Sequence, residues 1–170
     1  AVVPGPGLLN TSAALATGWG CNTPMVCLTG QIPSAFIGRR RGHLHEIADQ
    51  LGTLRTLVKW AERIERPADA PALVAEAFRQ AQSGRPGPVA LEMAWDVMAS
   101  TEDVPAAQAA IIAPGPEPDP MAVSHAANLI RAARLPIIMT GSGAQHASQE
   151  IARLAELTGA PVTAFRGGRG

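Results

Sequence analysis

Residues 70–93 read APALVAEAFRQAQSGRPGPVALEM, and this stretch carries the fold class. Leu73, Val74, Ala77, Phe78 and Ala81 recur at i, i+1, i+4, i+5 and i+8, which predicts one apolar face on a helix over 70–83. Gly84 ends that helix, and Arg85-Pro86 just behind it keep it from resuming. Pro88-Val89-Ala90-Leu91-Glu92-Met93 then reads as a strand. Helix, glycine-proline stop and apolar strand in succession are the unit of a parallel α/β sheet.

The same alternation extends outward. Met25-Val26-Cys27-Leu28-Thr29 is a short apolar strand between Pro24 and Gly30. Leu8 to Gly18 suits a helix that begins just after the Gly5-Pro6-Gly7 turn, with Asn10, Thr11 and Ser12 near its start. Val2-Val3 reads as the tail of a strand, and Gln31 to Gly42 as a polar loop. Leu51, Leu54 and Leu57 stand at helical spacing, and Leu57 to Ala61 reads as a short strand. From 99 to 120 the composition shifts to Ala, Pro, Glu and Asp, with Pro105, Pro114, Pro116, Pro118 and Pro120 interrupting any regular element. That is a linker. Beyond it a helix over 121–133, a strand over 136–140, a helix over 146–158 and a strand over 161–165 follow. The expected architecture is α/β: a parallel sheet flanked by helices over 1–98, then the start of a Rossmann-like unit over 121–170. Two strands are too few for an independent open sheet, so the second unit reads as truncated and the chain as an internal piece of a longer protein.

The composition supports a packed core. Of 170 residues, 46% are hydrophobic and 16% charged, which argues against disorder. Lys+Arg and Asp+Glu are 14 each, so the basic surplus of a nucleic-acid binder is missing. Apolar runs are short and broken by Pro or Gly, which argues against a membrane span. No secretory pattern opens the chain, and the compartment is read as cytoplasmic. Cys21 and Cys27 lie among apolar residues without further ligands at metal spacing, and are expected to be small core residues.

Four segments carry candidate chemistry, each with a plainer reading beside it. Gly5-Pro6-Gly7-Leu8-Leu9-Asn10 lies between a strand end and a helix start, where backbone N–H groups meet a ligand or simply make a tight turn. Thr29-Gly30-Gln31 lies at the C-terminal end of a strand, the ligand-binding edge of open α/β sheets, and Gln31 is either a ligand contact or a solvated loop residue. Gly38-Arg39-Arg40-Arg41-Gly42-His43-Leu44-His45-Glu46 combines three guanidinium forks for anions with an imidazole beside a carboxylate suited to proton transfer; the alternative is a solvated surface loop. A metal is not expected there, because no third ligand is nearby. Gly141-Ser142-Gly143-Ala144 follows a strand and precedes a helix, as a nucleotide-binding turn does, but His146 takes the place of the third glycine. These residues alone do not name a reaction.

Taken together, the turns are more specific. Val3-Pro4-Gly5-Pro6-Gly7-Leu8-Leu9-Asn10, then Pro24 to Pro33 with Thr29-Gly30-Gln31, then Ile37-Gly38 and Ala81-Gln82-Ser83-Gly84-Arg85-Pro86-Gly87-Pro88-Val89 resemble the pyrimidine-binding domain of thiamine-diphosphate enzymes of the acetolactate synthase family. The resemblance covers residues 1–98, implying the C-terminal half of that domain, and 121–170 resemble the start of the same proteins' central domain. It implies an enzyme that decarboxylates a 2-keto acid and passes the acyl unit to a proton or an acceptor, the cofactor doing the carbon chemistry. It implies thiamine diphosphate with magnesium, and a parent that is a homodimer or homotetramer with its active site between subunits. Pro6 and Asn10 match the turn that lies against the cofactor's pyrimidine. His45, followed by Glu46, matches a Gln-Glu pair facing the reacting centre, so an imidazole replaces an amide. Gly141, Ser142 and Gly143 match a turn that holds FAD or ADP in some members. Phe165-Arg166 departs from the Thr-Leu of those flavin binders, so bound FAD is not expected. Trp95 stands where several acetolactate synthases carry a lysine, which speaks against strict acetolactate synthase activity. The family's activating glutamate and its Gly-Asp-Gly metal motif are not matched in this chain, so the piece by itself is expected to be inactive. The competing reading is a non-catalytic nucleotide-binding or regulatory module of the same fold.

Overall fold

The computed structural model describes residues 1–112 and 114–168. They form two units, Ala1–Gly115 and Pro116–Gly170.

In the first unit, α1 (Pro6–Gly20) starts with proline at its first position, where no N–H is needed. Strand β1 (Met25–Gln31) follows, then a single 3₁₀ turn (Ser34–Phe36). Helix α2 (Gln50–Leu57) is capped by Asp49, whose carboxylate accepts from the Gly52 N–H at 2.8 Å. Strand β2 (Trp60–Ile64), helix α3 (Ala70–Gln82), strand β3 (Pro88–Ala94) and the short helix α4 (Trp95–Met98) complete the unit. The sheet is parallel with order β1-β3-β2, Cys27 and Ala61 both opposite Ala90. Val2 pairs beside Thr29 through Val2 N–H to Leu28 O and Gly30 N–H to Val2 O, so Val2-Val3 does run along the β1 edge.

Central strand β3 is covered on both faces, as its nearly unbroken apolar run requires. On one face Leu8, Leu15, Leu54, Val58, Cys27, Ala61 and Ala90 pack together; on the other, Ile64, Ala77, Ala81, Val89 and Leu91 do. Strand alternation therefore puts Glu92 on the Ala90 face, toward α1 and α2.

Three expectations are corrected. The strand expected at 57–61 is β2 at Trp60–Ile64, because Leu57 still belongs to α2 and β2 takes its position from pairing Trp60 with Val89. On α3, Ala77 and Ala81 are buried and Leu73 half-buried, but Val74 is 38% and Phe78 46% exposed. These two lie one position round the helix, past the edge of its contact with the sheet. Cys21 is exposed at the end of α1, whereas Cys27 is buried in β1 and burial pushes its thiol pKa up.

The second unit has α5 (Pro120–Ala132), β4 (Ile138–Thr140), α6 (Ser148–Thr158) and β5 (Val162–Ala164), with β4 and β5 parallel. Gly159 ends α6 at φ 63°, a left-handed stop.

Candidate functional site

In a parallel sheet the carboxyl ends of the strands converge on one edge, where ligands bind. Here β1 ends at Gln31 and β3 at Ala94, and the Gly5-Pro6-Gly7 turn is tied to that edge by a buried polar network. The Gly5 N–H donates to Gln50 Oε1 at 2.8 Å. The Gln50 amide nitrogen donates to Gly30 O at 2.9 Å and to Glu92 Oε2 at 2.8 Å. Gln31 donates to the same carboxylate oxygen at 3.3 Å, and its own oxygen accepts from the Ile32 N–H at 2.7 Å. Arg63 Nε donates to Glu92 Oε1 at 2.6 Å. Glu92 is wholly buried, and an unpaired carboxylate there would be costly, so the Arg63 pair and the two amides are what permit it.

The network decides the role of Gln31. It is 3% exposed and bonded internally, so it is not a solvated loop residue. Gln50, Arg63 and Glu92 escaped the sequence reading. The one available signal was a glutamate inside an otherwise apolar strand.

Gly5 has φ 58°, and a Cβ on it would stand 2.3 Å from the His45 carbonyl oxygen. The glycine is thus required by the protein's own chain, and the same contact brings the His45 backbone to the turn that carries Pro6. Pro6 and Asn10 are both exposed and stand four residues apart on one face of α1. His45 is exposed with φ 69°. Glu46 does not serve as its partner: the carboxylate accepts from the His43 N–H at 2.9 Å. That bond first, and the N–H groups of Arg40, Gly42 and Arg41 after it, hold the Glu46 carboxyl below the usual carboxylate range. Across the strand ends, the Ser34 hydroxyl and N–H both donate to Asp96, at 2.6 and 2.9 Å, and lower its pKa.

In the second unit Gly141 precedes a 3₁₀ turn over Ser142–Ala144, and α6 begins only at Ser148. The turn therefore does not open directly into a helix N-terminus, as a dinucleotide-binding turn does. Space is nonetheless open before Gly141 and Gly143, where an added Cβ would meet nothing within 4 Å. Behind the turn, Gly167 and Gly168 pack against Ser142 and the Thr140 carbonyl.

Two family models match this chain, in the order of its two units. Residues 1–53 match the thiamine pyrophosphate enzyme N-terminal TPP binding domain, and residues 123–170 match the thiamine pyrophosphate enzyme central domain. The chain belongs to the thiamine pyrophosphate enzyme family. It is 34% identical to the probable acetolactate synthase large subunit of Methanocaldococcus jannaschii, over 98% of this chain and 29% of that protein. Identity is 31% to acetolactate synthase isozyme 1 large subunit of Escherichia coli, over 94% of this chain and 28% of that protein. It is 33% to chloroplastic acetolactate synthase 2 of Zea mays, over 94% and 25%. The chain thus spans under a third of the length of the curated relatives it matches.

The turn of this thiamine pyrophosphate enzyme chain suits one part of that cofactor. Pro6 offers an exposed apolar ring, and the Asn10 amide has no hydrogen-bond partner among the described residues. An apolar face with a free amide donor and acceptor fits a planar heteroaromatic ring bearing nitrogens. A diphosphate with its metal finds no such match: among the described residues no three His, Cys, Asp or Glu side chains gather to hold an ion.

Proposed function

We propose that this chain is part of a thiamine-diphosphate-dependent 2-keto acid lyase or carboligase of acetolactate-synthase type. In this reading residues 1–98 are the C-terminal half of the pyrimidine-binding domain, 99–120 the linker and 121–170 the start of the central domain. The observation that carries it is similarity to acetolactate synthase large subunits over nearly the whole chain, with the turn motif standing at the ligand-binding edge of the sheet.

Thiamine diphosphate, when bound, supplies the electron sink that lets carbon dioxide leave a 2-keto acid. The chain's own part is binding and orientation. Pro6 and Asn10 would hold the pyrimidine ring. Gln50 holds Gly5, and through it the start of α1, in place. His45 stands at the reacting side, where it orients substrate and hands over a proton. Magnesium and the diphosphate would be held by other segments of the complete polypeptide or by a second subunit, and the working form in this reading is a homodimer or homotetramer. The Gly141–Gly143 turn acts as packing, without FAD.

The test uses the complete polypeptide that contains this chain, with thiamine diphosphate and magnesium, on a panel of 2-keto acids. Carbon dioxide release that depends on the cofactor is expected, and no turnover on any member of the panel sinks the reading. Tight ADP or FAD binding without turnover would favour the nucleotide-binding module instead. His45→Gln is expected to lower kcat by about a hundredfold, the lower end for a lost proton-transfer group, and to change the ratio of protonated to ligated product. An unchanged product ratio removes His45 from the reacting centre.

A further inference from the structure

Among the described residues of the first unit, the cations are unevenly partnered. Arg55 pairs with Glu62, Arg63 with Glu92, Arg66 with Glu102 and Arg79 with Glu76, while Arg85 donates to Asn22 and Lys59 to the carbonyls of Gln80 and Ser83. The arginines left without a polar partner are consecutive: Arg39, Arg40 and Arg41, all exposed. The two carboxylates nearest in sequence are both occupied by backbone. Glu46 takes N–H groups of the loop itself, and Asp49 caps α2.

The loop that carries them has a defined shape. Gly38, Arg40, Gly42 and His45 all have positive φ, at 76°, 52°, 70° and 69°. Left-handed residues in such succession turn backbone N–H groups inward to make an anion nest, and here the Glu46 carboxylate fills it. The Phe36 and His43 rings, 5.0 Å apart, brace its side. At its end the His45 carbonyl lies against Gly5. Arg41 is four residues from His45, so at most about 14 Å of chain separates them.

We propose that Arg39, Arg40 and Arg41 bind a second anionic group, carboxylate or phosphate, of the substrate that reacts beside Pro6 and Asn10. Guanidinium forks match both groups, and three of them unpaired on a shaped loop cost nothing in broken internal pairs when a ligand arrives. A 2-keto acid with a single carboxylate offers this loop nothing. The proposal rests on the function proposed above and names its substrate class as dianionic or more.

The complete polypeptide is compared with R39Q/R40Q/R41Q and R39K/R40K/R41K on pyruvate, 2-oxoglutarate and 3-phosphohydroxypyruvate. The wild type is expected to prefer 2-oxoglutarate or 3-phosphohydroxypyruvate over pyruvate in kcat/KM, and the preferred one tells carboxylate from phosphate. The glutamine variant is expected to lose at least about tenfold of that preference, the loss of one or more charge-assisted bonds. The lysine variant keeps part of it, and added salt weakens it in the wild type. Calorimetric titration of 2-oxoglutarate and 3-phosphohydroxypyruvate without thiamine diphosphate reads the same contacts without turnover, with a similar loss of affinity expected. Equal preference or affinity in wild type and glutamine variant overturns the proposal. So does a lowered thermal midpoint of the glutamine variant, which would make the arginines structural. Arginine-dependent dianion binding without turnover of any keto acid would leave this site standing and remove the proposed function. Pyruvate turnover without an arginine-dependent preference would do the reverse.

Discussion

Gly5 joins the α1 start to the loop before α2, and two constraints act on it at once. Its φ of 58° strains any L side chain, and its missing Cβ is the space taken by the His45 carbonyl. Gly38 has φ 76° with nothing within 4 Å of an added Cβ, so it carries only the first constraint. Gly38→Ala is therefore expected to cost about 1 kcal/mol, and Gly5→Ala clearly more, roughly 3 kcal/mol with displacement of the His45 backbone. Urea unfolding of both variants checks the order. In the network behind Gly5, every Glu92 oxygen accepts a bond, so even Glu92→Gln would set an amide donor against Arg63 or the two glutamines. Gln50→Leu leaves the buried Gly5 N–H without this partner, while the half-buried Gly30 carbonyl keeps the Thr29 hydroxyl, and the variant is expected to destabilise by about 1–3 kcal/mol for the one group left bare. Arg63→Ala strands a buried carboxylate and is expected to cost about 3 kcal/mol, the low end because Arg63 keeps some contact with water.

Helix α3 shows how an element's two faces divide the work. Ala77 and Ala81 are small enough to let it lie close on β3, while Glu76 pairs with Arg79 and Gln80 on the outer surface. Arg79 first, and Gln80 after it, hold the Glu76 carboxyl down at about 2, from an ordinary 4.5. A carboxyl depressed in the folded state contributes stability above its ordinary value and loses it as pH falls from there toward the folded value. Glu76→Gln is thus expected to flatten the fall of the thermal midpoint between pH 4.5 and about 2, and the difference should shrink in high salt because the pair is exposed. A wild-type acid limb that Glu76→Gln leaves untouched would place the effect elsewhere. The strand β2 expected at 57–61 failed at this scale, because strand limits come from a partner's hydrogen bonds and the local pattern Leu57-Val58 suits helix end and strand start alike.

At the scale of the whole molecule, burial is unequal between the two units. The first holds two hydrophobic clusters on either face of a three-stranded sheet. In the second, Thr140 and Ala160 are the buried residues among those described, and Leu135, Leu157 and Met121 are each more than 70% exposed. Residues 1–115 alone are expected to unfold in one cooperative transition, and residues 116–170 alone to show none by calorimetry. Brief proteolysis should cut first between 101 and 119, where the described residues make no helix or strand, and leave the sheet and helices over 1–100 intact. Early cuts inside β1–β3 would contradict the unequal burial.

The sequence by itself determined the α/β alternation, the glycine-proline turns and the family, because period, helix stops and left-handed turns are properties of neighbouring residues. Pro6, Asn10 and the Arg39–Arg41 run were legible in the same way, as local motifs. Only the tertiary structure decided what Gln31, Gln50, Arg63 and Glu92 do. Glu92 meets Gln50 across 42 residues, Gln31 across 61 and Arg63 across 29, so no window of sequence contains the group. A buried charge has meaning only with its partners in place, since the same glutamate on an exposed strand face would be a solvated side chain and nothing more.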